Sequence, residues 1–165
     1  LDFARVRPPS TSTTQLRGTV QEAATLVALD RDARGVDIVN NVPEGIVAAC
    51  DGDRMVQVFV NLIRNAVDAV GKGAVVIGAG ESEKDGRAWV SISVTDDGAG
   101  IDPAILPRLF EPFASTRLDS RGTGLGLAVA EGIVREHGGM ILARNRIDRS
   151  GAVFEVLLPR GDTAI

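Results

Sequence analysis

Apolar positions repeat at helical spacing in three parts of the chain. The first helix is predicted from a set of small and branched residues: Val20, Ala23, Ala24, Val27 and Ala28. We expect Gly35 to end this helix. Asp51 is expected to cap a second, longer helix that runs to Gly71. A third helix is predicted over residues 124–137, closed by the glycine pair that follows it.

Short apolar runs bounded by turn residues predict strands between and after these helices. They cover residues 13–16, 36–39, 45–48, 74–80, 89–95, 140–145 and 152–158. The second and third runs are expected to be joined across Pro43, and the fourth and fifth to form a hairpin through the polar turn 83–86. Because strands and helices mix without strict βαβ alternation, we expect an α/β (α+β) fold with helices on one face of a mixed sheet.

Composition limits the possible chemistry. The 165 residues suffice for one ordinary domain, and 44% hydrophobic with 24% charged residues is typical of a globular chain. The net charge of −4 argues against non-specific nucleic-acid binding, and no apolar run is long enough to span a membrane. Cys50 and His137 are the only residues of their types, which excludes an intrachain disulfide and a two-histidine metal site. A lone cysteine fits a reducing compartment.

The second predicted helix carries its polar residues on one narrow line after Asp53. They are Arg54, Gln57, Asn61, Arg64, Asn65 and Asp68. Asparagine and aspartate are poor helix formers in mid-helix, so their presence on one line suggests oxygen ligands held on a rigid element. An ordinary solvated stripe is the alternative that the pattern leaves open.

Two glycine motifs follow later in the chain. Residues 96–101 come directly after a predicted strand, and residues 122–127 open the third predicted helix. Glycines at a helix start let backbone N–H groups approach a polyphosphate. The second motif has neither the context of a Rossmann fingerprint nor the lysine of a P-loop. Each motif taken alone is a weak signal, because glycine-rich turns are common.

A loop of 21 residues separates Gly100 from Gly122. A loop of that length in a compact domain is typical of a functional lid or a disordered segment. Phe110 and Phe113 are the expected apolar anchors of a lid. The hydroxyl and guanidinium groups that could reach an anionic phosphate belong to Ser115, Thr116, Arg117 and Arg121. Solvent-facing loop positions are the alternative for each arginine.

Taken in order, four segments resemble the motifs of one family. Residues 61–66, 96–101, 109–113 and 122–128 are similar to the N box, first glycine box, F box and second glycine box of the sensor histidine kinase catalytic domain, which binds ATP. The resemblance extends over nearly the whole chain and is greatest to kinases of the nitrogen- and dicarboxylate-sensing type. It implies that residues 1–10 are the end of a dimerisation and phosphoacceptor helix with its linker, and that residues 11–165 are the catalytic ATP-binding domain. From the residues alone, a frayed N-terminal tail is equally compatible.

The family implies a Bergerat fold, a two-layer sandwich in which about five strands of a mixed sheet lie under three main helices. It also implies ATP and Mg²⁺ as cofactors. By position, Asn65 ligates the metal and takes part in catalysis, Asn61 supports the metal or the phosphates, and Asp96 accepts a hydrogen bond from adenine. Arg117 and Arg121 neutralise γ-phosphate charge during transfer.

The remaining residues that the resemblance assigns to the nucleotide lie mainly in the glycine motifs. Gly98 and Gly100 are expected to let the backbone close around the nucleoside, and Gly124, Leu125 and Gly126 to cradle the β-phosphate. The rest of this set is Asp68, Ile101, Phe110, Thr116, Gly122, Thr123 and Leu127.

One position departs from the pattern of many such kinases, which carry lysine where this chain has Asp68. The position therefore resembles the related gyrase, chaperone and mismatch-repair ATPases. Those ATPases place a glutamate general base where this chain has Asn61, and an amide cannot accept a proton in that role. Asn61 thus favours phosphoryl transfer to a partner over ATP hydrolysis.

The resemblance implies a protein-histidine kinase that transfers the γ-phosphate to a histidine outside this chain. Its partners would be its own dimerisation domain, within a homodimer, and a response regulator, with no nucleic acid and no direct membrane contact. The domain would be cytoplasmic, including in a parent that is an inner-membrane receptor. Alternatives are a degenerate nucleotide-binding docking module and an anti-sigma-factor-type serine kinase. His137, at a predicted helix end, is interpreted as a structural cap of that helix rather than a phosphorylated residue.

Overall fold

The computed structural model describes residues 8–112 and 125–161, which form seven strands and three α-helices. The strands are β1 (Ser12–Gln15), β2 (Val36–Asn40), β3 (Val47–Cys50), β4 (Gly73–Lys84), β5 (Arg87–Asp96), β6 (Met140–Asn145) and β7 (Ala152–Pro159). The helices are α1 (Leu16–Ala28), α2 (Gly52–Val70) and α3 (Gly126–Glu136). Short 3₁₀ turns occupy Arg31–Ala33 and Leu106–Arg108.

Five strands form a mixed sheet in the order β2-β4-β5-β7-β6. Only β2 and β4 pair in parallel, and the other three pairs are antiparallel. β1 and β3 form a separate antiparallel pair. The Arg160 backbone connects the two sheets, since its N–H donates to Ala88 O at 3.0 Å and its carbonyl accepts from Ala49 N at 3.2 Å. The predicted mixed sheet is therefore confirmed.

The core lies between this sheet and α2, which also contacts both α1 and α3. Phe59, Leu62 and Ile63 on the inner side of α2 are fully buried, as are Ile77 and Ile92 on the sheet. Apolar residues at helical spacing on α2 thus meet apolar residues at alternating positions on β4 and β5. The result is the predicted two-layer arrangement of helices over a sheet.

The second helix has the predicted bounds. The Asp51 side chain accepts a hydrogen bond of 3.4 Å from the Arg54 N–H, which is the geometry of an N-cap. At the other end Gly71 has φ of +69°, a conformation that a side chain disfavours. Both ends of α2 are therefore encoded locally in the sequence.

The first helix ends earlier than predicted, at Ala28 rather than near Gly35. Asp30 adopts an extended conformation, and its side chain accepts from the Asp32 N–H at 3.1 Å to cap a 3₁₀ turn. This local side-chain bond competes with continuation of the helix. Gly35, at φ of +86°, instead turns the chain into β2.

Two predicted strand boundaries are also corrected. β3 begins at Val47, because Gly45 has φ of +90° and belongs to the preceding turn. The strands β2 and β3, although joined across Pro43, lie in different sheets. The turn between β4 and β5 contains only Asp85 and Gly86, both with positive φ, so the strands continue through Lys84.

The last elements agree with the sequence. β6 and β7 lie where predicted, and β1 is shifted by one residue from the predicted 13–16. The helix α3 begins at Gly126 and ends at Glu136, with His137 as its C-cap and Gly138 at φ of +75° beyond it. The predicted helix start at Gly124 lies outside the described residues, as does the segment 1–7.

Candidate functional site

One residue of the polar line on α2, Asn61, contacts the beginning of α3. The Asn61 side-chain N–H donates a hydrogen bond of 3.0 Å to the carbonyl of Gly126, the first residue of α3. Asn61 and Asn65 are half-buried, whereas Arg64 and Asp68 are exposed. The line is thus not uniformly solvated, because both asparagines are half-buried and Asn61 lies at the boundary between α2 and α3.

Close packing among the described residues does not require a glycine at position 126, beside Asn61. A Cβ at this position would lie 3.8 Å from Asn61 Cγ, an ordinary van der Waals distance. Packing within the described residues would therefore accept alanine here. The first backbone N–H groups of a helix lack intrahelical partners and carry partial positive charge. A glycine next to such groups lets an anionic ligand approach more closely than a larger residue would.

Leu125 and Leu127 flank this glycine. Leu125 is 37% exposed, and the half-buried Leu127 packs against the core. The other predicted members of the second glycine motif, Gly122, Thr123 and Gly124, lie outside the described residues.

Asp96, at the end of β5, is a buried carboxylate in a fixed orientation. It is 1% exposed, and its Oδ1 accepts hydrogen bonds from Gly98 N at 2.8 Å and Ala152 N at 3.3 Å. Two backbone donors from different segments therefore hold the carboxyl group in place. A carboxylate held this way can accept a hydrogen bond from a ligand donor with little reorganisation.

The glycines that follow Asp96 are required by packing. A Cβ on Gly98 would lie 2.6 Å from the carbonyl oxygen of Ala69, near the end of α2. Gly100 has φ of +89°, and a Cβ there would lie 2.9 Å from Asn145 Oδ1. These contacts give both glycines a role in the folded chain itself, in addition to the predicted proximity to a nucleoside.

The helix α2 connects the two glycine motifs. Asn61 contacts Gly126, and Ala69 lies against Gly98 two turns later. At 1.5 Å per residue these contacts are about 12 Å apart along the helix axis. Asn65 and Asp68 lie between them in sequence, so α2 extends from the start of α3 to the first glycine motif and carries both predicted residues.

The segment after the first glycine motif is ordered by local contacts. Asp102 Oδ1 accepts from the Ala104 N–H at 2.9 Å, and the 3₁₀ turn at Leu106–Arg108 follows. Phe110 packs edge-on against Phe154, with ring centroids 6.2 Å apart at 86°. The predicted anchoring of the loop at Phe110 is thus observed. Four predicted loop residues lie outside the described residues: Phe113, Ser115, Thr116 and Arg117. The same holds for Arg121.

Sequence reasoning missed the β6–β7 loop, residues 146–151, which packs against the first glycine motif. Ser150 Oγ donates to Gly98 O at 2.6 Å. Arg146 Nη1 lies 3.1 Å from Asp97 Oδ1, and Nη1 also donates to the Asp96 carbonyl at 3.4 Å. A Cβ on Gly151 would lie 2.0 Å from that same carbonyl oxygen. The sequence marks this loop only as a turn and carries no signal for the segment that it contacts.

Three side chains, two near the start of α2 and one in this loop, have shifted pKa values. The Arg146 side chain beside Asp148 lowers the pKa of that carboxyl from its usual range. A hydrogen bond from the Ser10 N–H is the main reason that the pKa of Asp51 is also lowered. Burial raises the pKa of the Cys50 thiol, which keeps it protonated.

Two features are absent from residues 8–112 and 125–161. In this part of the chain no three His, Cys, Asp or Glu side chains converge as metal ligands. No helix there combines the length and apolar character that crossing a bilayer requires.

The sequence and the fold are both similar to those of histidine kinases. The chain is 39% identical over 150 residues to the sensor histidine kinase ZraS of Salmonella typhimurium, a match that covers 89% of this chain and 31% of ZraS. The catalytic domain of histidine kinase ThkA has a TM-score of 0.78 at 28% identity, covering 92% of this chain and 96% of that one. Full-length ShkA in complex with AMPPNP has a TM-score of 0.76 at 28% identity, covering 94% of this chain and 32% of that one.

These similarities confirm the predicted fold class and the predicted resemblance to sensor histidine kinases. This chain spans about a third of the length of the curated relatives that it matches. Residues 50–162, which contain α2, the five-stranded sheet except β2, and both glycine motifs, match the family described as histidine kinase-, DNA gyrase B-, and HSP90-like ATPase. The chain therefore belongs to this family of ATPases.

Proposed function

We propose that this chain is the ATP-binding catalytic domain of a sensor histidine kinase, and that it transfers the γ-phosphoryl group of Mg·ATP to a histidine on a separate dimerisation domain. One observation carries the choice of transfer over hydrolysis. The residue on α2 that lies against the start of α3 is Asn61, whose amide donates to Gly126 O. An amide there cannot take a proton from water, so the site lacks the general base expected of a hydrolase at this position.

The described residues fit a nucleotide laid along α2. Asp96 offers a buried, oriented carboxylate to the adenine amine, and Gly126, which carries no side chain, would let phosphate approach the positive end of α3. The Asn61–Gly126 contact keeps the phosphate end of the site attached to the helix that carries Asn65. AMPPNP in the complex of the similar protein ShkA is consistent with an adenine nucleotide as ligand.

The same residues fit Mg²⁺ as the accompanying metal. Mg²⁺ prefers oxygen ligands and is commonly held by one or two protein groups together with substrate phosphates. Asn65, half-buried and one helical turn after Asn61, would provide an amide oxygen to it. When bound, the ion neutralises charge on the phosphates that meet it.

In the proposed mechanism the chain binds and orients the nucleotide, and none of its residues is assigned the role of a general base. Asp96 and the first glycine motif hold the nucleoside end, while the start of α3 holds the phosphates against α2. Arg117 and Arg121 would stabilise charge on the transferring group; both are assigned by motif position. The acceptor nitrogen belongs to the partner domain, which we propose is joined to this one through residues 1–10.

The partners follow from this reaction. The acceptor domain would be the dimerisation domain of the same parent protein, which acts as a homodimer, and a response regulator would receive the phosphoryl group afterwards. ATP and a reduced, buried Cys50 thiol favour the cytoplasm as the location of the domain.

Phosphoryl transfer in trans tests the proposal. The chain is mixed with γ-labelled ATP, Mg²⁺ and the purified phosphoacceptor domain of its parent protein. We expect acid-labile label on the acceptor and none on the chain alone, and we expect Asn65→Ala to abolish the transfer. Asn41→Ala, an exposed asparagine outside the site, is the matched control.

Other outcomes would point to other functions. Acid-stable label would indicate a serine kinase, because phosphohistidine is hydrolysed in acid and phosphoserine is not. Nucleotide binding without any transfer would indicate a docking module. ATP hydrolysis in the absence of an acceptor would contradict the role assigned to Asn61.

A further inference from the structure

The side chain of Asn145 is hydrogen-bonded to the exit of the first glycine motif. Asn145 Oδ1 accepts from the Ile101 N–H at 2.6 Å, and its Nδ2 donates to the Ile101 carbonyl at 2.9 Å. The two residues are 44 positions apart in sequence. One carboxamide thus satisfies both backbone groups of Ile101, as a neighbouring strand would do.

This contact is close-packed. Gly100 has φ of +89°, and a Cβ there would lie 2.9 Å from Asn145 Oδ1. Ile101 is half-buried and packs against the hydrophobic core. The backbone of Gly100 and Ile101 is therefore held between the core on one side and the Asn145 carboxamide on the other.

The other end of the motif is held separately. Ser150 Oγ donates to Gly98 O at 2.6 Å, and Asp96 Oδ1 accepts from Gly98 N at 2.8 Å. None of these bonds involves Ile101. Among the hydrogen bonds of the described residues, those of Asn145 are the ones that fix the Ile101 backbone, and no role in the proposed reaction has been given to Asn145 so far.

We propose that Asn145 is a positioning residue for adenine-nucleotide binding, which acts by holding Ile101 and the end of the base-binding segment in the bound conformation. The inference rests on the proposed function. Without Asn145, binding would have to order the Gly100–Ile101 backbone at the expense of affinity. The effect would fall on the nucleoside end and not on the phosphates, because Asn61 and Gly126 hold the phosphate end through a separate contact.

Nucleotide affinity of substituted chains tests this role. Dissociation constants for AMP, ADP and ATP with Mg²⁺ are measured by NMR titration of the full chain, at a temperature where circular dichroism shows each variant folded. For Asn145→Ala we expect all three constants to rise by a common factor of about ten, equivalent to about 1.4 kcal/mol. Asn145→Asp, which keeps the shape but presents an oxygen to the Ile101 carbonyl, is expected to weaken all three as well.

Two comparison variants separate positioning from general destabilisation. Arg144→Ala alters the exposed residue next to Asn145 on β6 and is expected to leave the three constants unchanged. Asn61→Ala is expected to weaken ATP and ADP more than AMP, since Asn61 lies at the phosphate end. A purely structural role for Asn145 would lower the free energy of unfolding and leave the three constants of the folded chain unchanged.

The outcomes distinguish the two proposals. If the unmodified chain binds no adenine nucleotide, the proposed function is wrong, and the role of Asn145 is wrong with it. If the unmodified chain binds and both Asn145 variants bind equally well, only the role of Asn145 is wrong. A loss confined to ADP and ATP would also overturn it, because it would move the effect to the phosphates.

Discussion

The backbone N–H of Asp51 donates a hydrogen bond of 3.0 Å to Nε2 of His137. The other ring nitrogen, Nδ1, lies 2.8 Å from the carbonyl oxygen of Ile133 and donates to it. The imidazole thus joins the start of α2 to the end of α3. The ion pair between Arg54 and Glu136, at 2.8 Å, links the same two helix ends.

Replacing His137 is expected to affect stability rather than phosphorylation. Loss of both ring contacts in His137→Ala should lower the free energy of unfolding by about 1–2 kcal/mol, measured by urea denaturation. Transfer to a separate acceptor domain should persist, because neither helix end carries a residue of the proposed site. Glu136→Gln, which removes the ion pair and keeps the imidazole, is the control.

The contrary result is simple to recognise. Label that accumulates on the isolated chain and disappears in His137→Ala would make this histidine a phosphoacceptor. That result would contradict the interpretation of His137 as a helix cap.

Much of the fold is predictable because its elements are encoded locally. The helix α2 has an aspartate cap at its start, a glycine with positive φ at its end and a continuous apolar side between them. Where a local side-chain bond competes, the pattern is misleading. Asp30 caps a 3₁₀ turn and ends α1 early, although the apolar spacing alone does not indicate a stop before Gly35.

The candidate site is less predictable, because its support comes from distant residues. The motifs that carry Asn61, Asp96 and Gly126 stand out in the sequence by their glycines and by polar residues that are poor helix formers in mid-helix. The loop that holds Asp96–Ile101 in place does not, since Asn145 reaches Ile101 only through the pairing of β6 with β7. Periodicity describes single elements and carries no information about which loops meet.

The glycines of the two motifs are expected to respond differently to substitution. Gly126→Ala places a Cβ at an ordinary distance from Asn61, so the free energy of unfolding should be unchanged or slightly higher. Its methyl group would instead occupy the proposed phosphate space, and the dissociation constant for ATP should rise about tenfold or more while that for AMP changes little. Calorimetric titration and thermal denaturation measure the two effects.

Gly98→Ala is the matched comparison. Its Cβ would lie 2.6 Å from the backbone oxygen of Ala69, and one of the two segments must move. We expect a loss of about 1–3 kcal/mol in the free energy of unfolding, the usual range for overpacking. Equal stability of the two variants, or unchanged ATP affinity in Gly126→Ala, would contradict the roles assigned to these glycines.

The charge on Asp51 makes stability depend on pH in the acid range. The Ser10 N–H donates to Asp51 Oδ2 at 3.0 Å and is the main reason that the pKa of this carboxyl is lowered in the folded chain. An aspartate in an unfolded chain has a pKa of about 3.9. Because the folded pKa is lower, the contribution of Asp51 to the free energy of unfolding is fully present above the unfolded pKa. It is lost as the pH falls through the folded pKa.

Urea denaturation of the unmodified chain and of Asp51→Asn between neutral and acid pH measures this contribution. The stability difference between the two should be constant above about pH 5 and decrease as the pH falls below about 4. Asp53→Asn is the control, because it changes an exposed residue near the start of the same helix and makes the same change in net charge. If the stability difference between the unmodified chain and Asp51→Asn instead grew towards acid pH, the pKa of Asp51 would be raised in the folded chain, contrary to this prediction.

Base selectivity is expected to depend on the carboxylate of Asp96. Asp96→Ala would leave the N–H groups of Gly98 and Ala152 without their acceptor, each at a cost of about 1–3 kcal/mol, so it would confuse folding with binding. Asp96→Asn keeps an oxygen for both donors and exchanges the second carboxylate oxygen for an N–H₂ donor. That donor opposes the adenine amine and suits the carbonyl that guanine presents at the same position.

For Asp96→Asn we therefore expect a smaller loss in the free energy of unfolding than for Asp96→Ala, together with a loss of preference for ATP over GTP. Removal of a hydrogen bond to a charged group costs about 1.5–3 kcal/mol, so the ATP dissociation constant should rise by roughly ten- to a hundredfold. Titration with ATP and GTP in parallel measures the ratio directly. Equal losses for the two nucleotides would show that Asp96 supports the pocket without recognising the base, and the role proposed for it here would then be wrong.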